Sequence, residues 1–391
     1  MPLAMLWRLT AFAILATLPA LNARAGVEID TPARAAIMID YETGTVMFEK
    51  NADVPYPPAS MTKLMTLELL FQKLKDGDLT LDSTFHVSQK AWETQGSKMF
   101  VMVDTDVRVE DLIRGISVQS GNDACIVVAE GIGGTEAGFA ELMTARGIEL
   151  GLQETHFMNA SGWPETGHES SARDLARLAA HIIRTYPEYM HFFSELSFTW
   201  SNITQSNRNP LLYANVGADG MKTGHTEEAG YGLVGTAMQD GRRVILVVFG
   251  LSSEEERASE AKRLIQTGFR EFKRFDLFAA GETVIEAEVW NGEYDRVALV
   301  VPDALRVFMS GANRRKMKVV AAYEGPVPAP FAAGQRVGEV RVMVDNEVIA
   351  TAPLVTGAPV DRAGLLSRIG TAVSQLLGGG SSSQPEAETV Q

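Results

Sequence analysis

Hydrophobic and polar positions change rhythm several times along the chain. In residues 1–25, Arg8 precedes an apolar run from Leu9 to Leu18, and the stretch ends on Ala23-Arg24-Ala25. A positive charge, a short apolar core and a small-x-small site are the layout of a secretory signal peptide cleaved after Ala25, and the run is too short to span a bilayer comfortably. From about 35 to 278 the pattern is mixed. Residues 36–40 and 45–48 read as strands of a hairpin turning at Gly44. Residues 59–74 read as a helix that starts after Pro57 and Pro58 and is apolar almost all round, hence buried. Further helices are expected over 108–116, 122–131, 170–185 with a serine cap, and 254–275. Residues 230–238 and 242–250 read as adjacent strands around an Asp240-Gly241 turn. Helices lying between an early and a late hairpin predict one antiparallel sheet built from both ends of the domain, with helices packed around it.

After about 280 short alternating segments take over, at 283–290, 295–301, 304–309, 316–323, 336–345 and 347–354. They predict a small all-β sandwich. Leu365, Leu366, Ile369, Ala372, Val373, Leu376 and Leu377 then fall at helical spacing on one face, with Ser367, Arg368, Thr371, Ser374 and Gln375 on the other. That amphipathic helix predicts association with a membrane interface. The resulting organisation is a signal peptide over 1–25, an α+β domain over 26–279, a β-sandwich over 280–361, an amphipathic helix over 362–378 and a disordered tail over 379–391.

Composition narrows the function classes. The chain has 391 residues, 46% of them hydrophobic, enough for a packed core. Its net charge is −14, and removal of residues 1–25 takes away Arg8 and Arg24 but no acid, leaving −16. This balance argues against nucleic acid as a partner, which requires a basic footprint. One cysteine excludes an internal disulfide framework and a Cys-rich metal centre. Cys125 sits in the apolar run CIVVAEGI and reads as a buried, inert thiol. The six histidines make no H-E-x-x-H, so no metal is expected, and no cofactor either. The glycines of Gly131-Ile-Gly-Gly134 lack the G-K-[ST] of a nucleotide loop.

Three short motifs carry chemistry. Ser60-Met-Thr-Lys63 is an S-x-x-K at the start of the buried helix, with both side chains on one face. A serine hydroxyl needs a base. A lysine can be that base only when neutral, which burial and a nearby positive charge favour. Ser120-Gly121-Asn122 stands at a helix–helix junction, where a tight turn at glycine lets Ser120 and Asn122 point into a cleft. Ser120 can relay a proton there, and Asn122 can bind a carbonyl. Lys222-Thr223-Gly224-His225 comes just before the strand at 230–238. Lys222 and Thr223 offer a charge and a hydroxyl to a carboxylate, and Gly224 allows close approach of a substrate backbone. Each motif alone is an ordinary combination of residues, whereas the order S-x-x-K, S-x-N, K-T-G carries a mechanism.

In that combination the chain resembles the low-molecular-mass penicillin-binding proteins, the serine-type D-alanyl-D-alanine carboxypeptidases. Residues 57–63, Gly96-Ser-Lys-Met-Phe100, residues 118–124, Asn207-Arg-Asn209 and residues 219–226 all look like that family. The resemblance implies a β-lactamase/transpeptidase-like domain followed by the β-sandwich. It implies that Ser60 attacks the carbonyl between two terminal D-alanines of a peptidoglycan stem peptide, with Lys63 as base. Ser120 then passes a proton to the departing D-alanine, with Lys222 nearby. Backbone N–H groups of Ser60 and His225 form an oxyanion hole, and Arg208 with Thr223 clamps the terminal carboxylate. β-Lactams are implied as covalent inhibitors, and the outer face of the inner membrane as the location, reached through the last helix.

Other uses of the same fold remain open at this point. A serine β-lactamase of class A needs a glutamate to activate water, and no E-x-x-L-N pattern lies between the second and third motifs. A D,D-endopeptidase or transpeptidase would use the same serine with another donor or acceptor. A cell-wall-binding scaffold without activity would not need every catalytic position filled, as they are here.

Overall fold

The computed structural model describes residues 29–364 and 385–390. The signal peptide expected over 1–25 and nearly all of the amphipathic helix expected over 362–378 lie outside these residues.

The first unit opens with β1 (Ala35–Asp40) and β2 (Val46–Lys50), followed by a 3-10 turn (Ala59–Thr62) that runs into α1 (Lys63–Lys75). A helical layer follows, with α2 (Gln89–Glu93), α3 (Val109–Ser117), α4 (Asn122–Gly133), α5 (Glu136–Glu149), α6 (Ala172–Thr185) and α7 (His191–Ser194). Two small hairpins interrupt it, β3 (Thr84–His86) with β4 (Asp106–Arg108), and β5 (Ser197–Trp200) with β6 (Ile203–Ser206). The chain returns to the sheet through β7 (Ala218–Thr226), β8 (Gly230–Gln239) and β9 (Arg242–Leu251), and α8 (Glu254–Glu271) closes the unit. The sheet order is β2-β1-β9-β8-β7, antiparallel throughout. Both chain ends of the domain therefore build one sheet, as the hydrophobic pattern predicts.

The alternation of side chains along β1 and β9 sorts two layers of core. Ile37, Ile39, Ile245 and Val247 belong to the cluster with α1, α4 and α6. Met38, Leu246 and Val248 belong to the cluster with Ala261, Leu264 and Ile265 of α8. A sheet buried on both faces needs the unbroken apolar run that β9 carries.

Four expectations change. The helix over 254–275 ends at Glu271, and β10 (Phe272–Phe278) follows and pairs with a strand of the β module. Phe272, Phe275 and Phe278 recur every three residues and mimic a helix, while a register shift between Asp276 and Phe278 breaks the period of two. The β module therefore begins before residue 280. Lys222 to His225 do not merely precede the strand at 230–238 but lie within the sheet-edge strand β7 that pairs with it. Two glycines and an aspartate give that stretch weak strand propensity, which pairing with β8 overrides. The positive φ at the second motif belongs to Ser120, at +58°, and not to Gly121. Gly121 answers to space, since a Cβ there would lie 2.8 Å from Asp123 Oδ1.

The second unit contains β11 (Thr283–Trp290), β12 (Arg296–Val300), β13 (Leu305–Ser310), α9 (Gly311–Lys316), β14 (Lys318–Glu324), β15 (Val327–Pro328), β16 (Arg336–Val344), β17 (Glu347–Thr356) and β18 (Pro385–Thr389). Seven of these strands form a sheet in the order β15-β11-β12-β17-β16-β14-β18, and β10 pairs with β13. The fourth correction is β18. The tail expected to be disordered over 379–391 includes a strand paired with β14 from Val320 opposite Thr389 to Glu324 opposite Pro385. An acidic, Gly-Ser-flanked segment has a disordered composition, but the free backbone groups of β14 give it a partner.

Arg242 joins the two units. Its Nε meets Asp40 Oδ2 at 3.2 Å, its Nη1 donates to the Phe272 carbonyl at 2.7 Å, and its guanidinium lies 4.8 Å from the Phe308 ring centroid. Asp40 is fully buried, and burial raises its pKa against the opposing Thr43 and Arg242 contacts. Removing one partner of such a pair leaves a buried charge uncompensated. Arg242→Ala should lower unfolding stability by about 3–5 kcal/mol, measured by urea titration. A loss below about 1 kcal/mol, the range of exposed pairs, would contradict this role.

Candidate active site

The site lies where α1, α4 and β7 converge. Ala59 opens the 3-10 turn in the left-handed region at φ +47°, an uncommon conformation for a side-chain-bearing residue. This places Ser60, half-buried, directly above the first residue of α1, Lys63. Lys63 is fully buried. Its Nζ lies 2.9 Å from Ser60 Oγ, 2.8 Å from Asn122 Oδ1 and 2.6 Å from the Ser161 carbonyl. Asn122 Nδ2 donates to the Gln95 carbonyl at 2.8 Å, which fixes Oδ1 as the acceptor toward Lys63. Two of the three neighbours are thus pure acceptors for amine hydrogens. The third direction points at Ser60 Oγ. In a neutral amine that direction holds the lone pair, positioned to take the serine proton.

Electrostatics support the neutral form. Burial lowers the Lys63 pKa to about 8, and the positive charge of Arg208 adds to the effect. Lys222 on β7 is buried as well, and burial, then Lys63, then Arg208 push its pKa well below the usual lysine value. Ammonium groups this close in a dry place oppose one another's protonation.

Of the remaining predicted residues, Ser120 stands two residues before Asn122, Thr223 to His225 continue β7, and the charge of Arg208 is felt by both lysines. The Ser120 Oγ is buried and has no hydrogen-bond partner among the described residues. An orphaned buried hydroxyl costs free energy in a native fold and calls for a functional reason. Thr223 and Gly224 are buried on β7, and His225 is exposed with its ring stacked on Tyr231 at 3.9 Å. Gly224 is required by packing against the reactive turn: a Cβ there would lie 2.8 Å from the Pro58 carbonyl and 3.1 Å from Met61 Cγ. The close approach expected of a substrate is therefore made first by the protein's own turn. Arg208 is exposed and its Nη1 donates to Ser97 Oγ at 2.5 Å. Its backbone is bracketed by two buried asparagines. Asn207 Nδ2 donates to the Phe193 and Glu195 carbonyls, and Asn209 Oδ1 accepts from the Leu211 N–H.

Several supporting residues carry no signal that pattern reading could find. Asp123 accepts backbone N–H groups from Met99, Ala124, Phe100 and Val101 at 2.8–3.2 Å, tying the 96–101 segment to α4. The Ser161 carbonyl is main chain and leaves no residue signature. His168 Nδ1 accepts the Met158 N–H, so its Nε2 carries the proton that reaches Thr62 Oγ1 at 2.8 Å. Burial holds the His168 pKa down to about 4, so this link behind the reactive turn is uncharged. Cys125 is buried beside Lys63, and burial pushes its thiol up to about 12, as expected of an inert residue.

Both units of the chain are similar to known proteins. Residues 22–253 match the D-alanyl-D-alanine carboxypeptidase family, and residues 272–362 match the C-terminal domain of penicillin-binding protein 5. The D-alanyl-D-alanine carboxypeptidase DacD of Salmonella typhimurium is 36% identical over 345 residues, 86% of this chain and 88% of that protein. DacA of Escherichia coli K12 is 37% identical over 333 residues, 83% of this chain and 82% of that protein. The structure of penicillin-binding protein 5 from Haemophilus influenzae, 35% identical, superposes with a TM-score of 0.75 over 86% of this chain and 99% of that one. Penicillin-binding protein D2 from Listeria monocytogenes in its ampicillin-bound form is 30% identical, with a TM-score of 0.57 over 62% of this chain and all of that one. With its serine–lysine pair, its K-T-G strand and its β module all in place, this chain belongs to the D-alanyl-D-alanine carboxypeptidase family.

Proposed function

We propose that this protein is a serine-type D-alanyl-D-alanine carboxypeptidase that trims the terminal D-alanine from peptidoglycan stem peptides. The observation that carries this reading is the buried Lys63 amine, held by two acceptors with its third direction on Ser60 Oγ. In the reaction, the Ser60 oxygen bonds to the penultimate D-alanine carbonyl carbon while Lys63 takes the hydroxyl proton. The C–N bond breaks, and the leaving D-alanine receives a proton through Ser120, whose hydroxyl has no partner among the described residues. Water then hydrolyses the ester and frees Ser60.

The edge position of β7 supports the binding mode. Among the described residues it pairs with β8 on one side only, so its other side can take an extended peptide as an added strand. Arg208 and Thr223 then receive the terminal carboxylate, and the backbone N–H groups of Ser60 and His225 stabilise the oxyanion. Each such donor is worth about 3–4 kcal/mol in the transition state. β-Lactams would enter the same cleft and acylate Ser60, in keeping with the ampicillin complex of the Listeria relative. The apolar face read at 365–377 and the leader at 1–25 fit an exported protein on the outer surface of the inner membrane.

Ser60→Ala should abolish both D-alanine release and covalent labelling by fluorescent penicillin while leaving the melting temperature unchanged. Retained labelling would remove Ser60 from the nucleophile position. With Lys63 titrating at about 8, the acylation rate constant should climb steeply with pH below that value and level off above it. The base is neutral only above its pKa, and a rate flat from about pH 6 to 9 would contradict Lys63 as the base. Replacing Leu366, Ile369 and Val373 together by serine should move the protein from the membrane to the soluble fraction without changing turnover on a soluble peptide. An unchanged partition would count against the membrane-surface reading.

A further inference from the structure

A half-exposed tryptophan stands beside the reacting groups without a role in the chemistry above. Trp163 keeps 50% of its surface accessible, yet its backbone is firmly held. Its N–H donates to Asn159 Oδ1 at 3.0 Å and to Ser161 Oγ at 3.3 Å, and its carbonyl accepts from Asn159 Nδ2 at 2.9 Å. Asn159 Oδ1 also accepts the Gly162 N–H at 2.9 Å. A Cβ on Gly162 would collide with the Ala59 carbonyl, so this loop sits flush against the back of the reactive turn. Trp163 is therefore presented by the same frame that positions Ser60.

The direction of the indole is fixed by Gly96. A Cβ at Gly96 would lie 2.9 Å from Trp163 Cζ3 and 2.7 Å from Asn122 Nδ2. The ring and the amide are thus neighbours across one α-carbon, and Asn122 is bonded to Lys63. Exposed aromatics occur elsewhere on this surface, at Trp290 and Tyr294, but this one is rigidly held next to a residue bonded to Lys63, which makes its open face a contact surface for whatever fills the cleft. The cations Arg208 and Lys222 claim the carboxylate end of a bound peptide. The Asn122 amide, next to the indole at Gly96, is the group placed to take a carbonyl of the part that precedes the scissile bond.

We propose that Trp163 is the specificity-determining residue of the acyl half of the cleft: its indole is an aromatic wall for a long, largely apolar side chain on the residue preceding D-Ala-D-Ala. The inference rests on the carboxypeptidase reading. It assigns Trp163 no contact with the scissile bond and no influence on Lys63.

The test uses Nα,Nε-diacetyl-L-Lys-D-Ala-D-Ala and N-acetyl-L-Ala-D-Ala-D-Ala with the wild type, Trp163→Ala and Trp163→Phe. Trp163→Ala should lower kcat/KM on the lysyl peptide roughly tenfold, the scale of a lost apolar contact in a specificity pocket, and leave the alanyl peptide within about twofold. Trp163→Phe should keep most of the preference, and both variants should melt with the wild type. Equal losses on the two peptides, or no loss on either, would overturn the inference. If the wild type releases D-alanine from neither peptide, the carboxypeptidase reading fails, and the contrast passes to acylation of Ser60 by benzylpenicillin against 6-aminopenicillanic acid. These share a reactive ring and differ in the aromatic acyl side chain. Trp163→Ala should then erase the preference for benzylpenicillin, and an unchanged preference would overturn the inference.

Discussion

An amine without a counter-carboxylate, sealed inside a protein, is the constraint around which this domain is arranged. Lys63 sits at the N-terminal end of a helix whose sides are almost wholly buried, and its three neighbours are a hydroxyl, an amide oxygen and a main-chain carbonyl. None of them neutralises a positive charge. The cost of protonating the amine in such surroundings is what makes it a usable base near neutrality. A glutamate in place of Asn122 would pair with the ammonium and keep it charged. The apolar α1, whose burial the sequence already ties to a neutral lysine, is therefore the element that sets the chemistry of its first residue.

The two acceptors on the Lys63 nitrogen come from separate pieces of chain, and these pieces, like the one that carries Arg208, are pinned by buried polar side chains. Asp123 gathers the backbone N–H groups of the 99–101 segment. Asn159 winds the 159–163 turn around its own carbonyl oxygen. Asn207 and Asn209 bracket Arg208. Asp123 and Asn159 are hydrogen-bond hubs, and satisfied networks make a structure unique, whereas the buried Nδ2 of Asn209 has no partner among the described residues. The reactive turn is clamped from both sides, by the edge strand at Gly224 and by the loop at Gly162, each close enough to exclude a Cβ. Preorganisation here is a matter of absent methyl groups as much as of present side chains.

The sequence made the hairpins, the central helix and the three motifs legible because each is a local statement. β8 and β9 announce themselves as strand-length apolar runs on either side of Asp240-Gly241, and S-x-x-K places two side chains one turn apart. What stayed hidden is non-local or lies in the main chain. Strand β7 is poor in strand-forming residues and exists because β8 pairs with it. The seam after α8 was obscured by three phenylalanines in helical spacing that in fact flank a bulge. The Ser161 carbonyl and the Asp123 hub could not be read, since neither a carbonyl nor a buried aspartate differs in sequence from any other.

The strand β18 carries a consequence of another kind. By lying along β14 it occupies what would otherwise be the border of the seven-stranded sheet. A chain nicked ahead of Pro385 would retain every group that touches substrate, yet offer a bare row of amides on which a strand from a second copy can crystallise its own pairing. The stretch from Pro385 to Thr389 is thus a selvedge: it becomes the border itself, and a short, acidic border opened by a proline is harder to pair with than the bare β14.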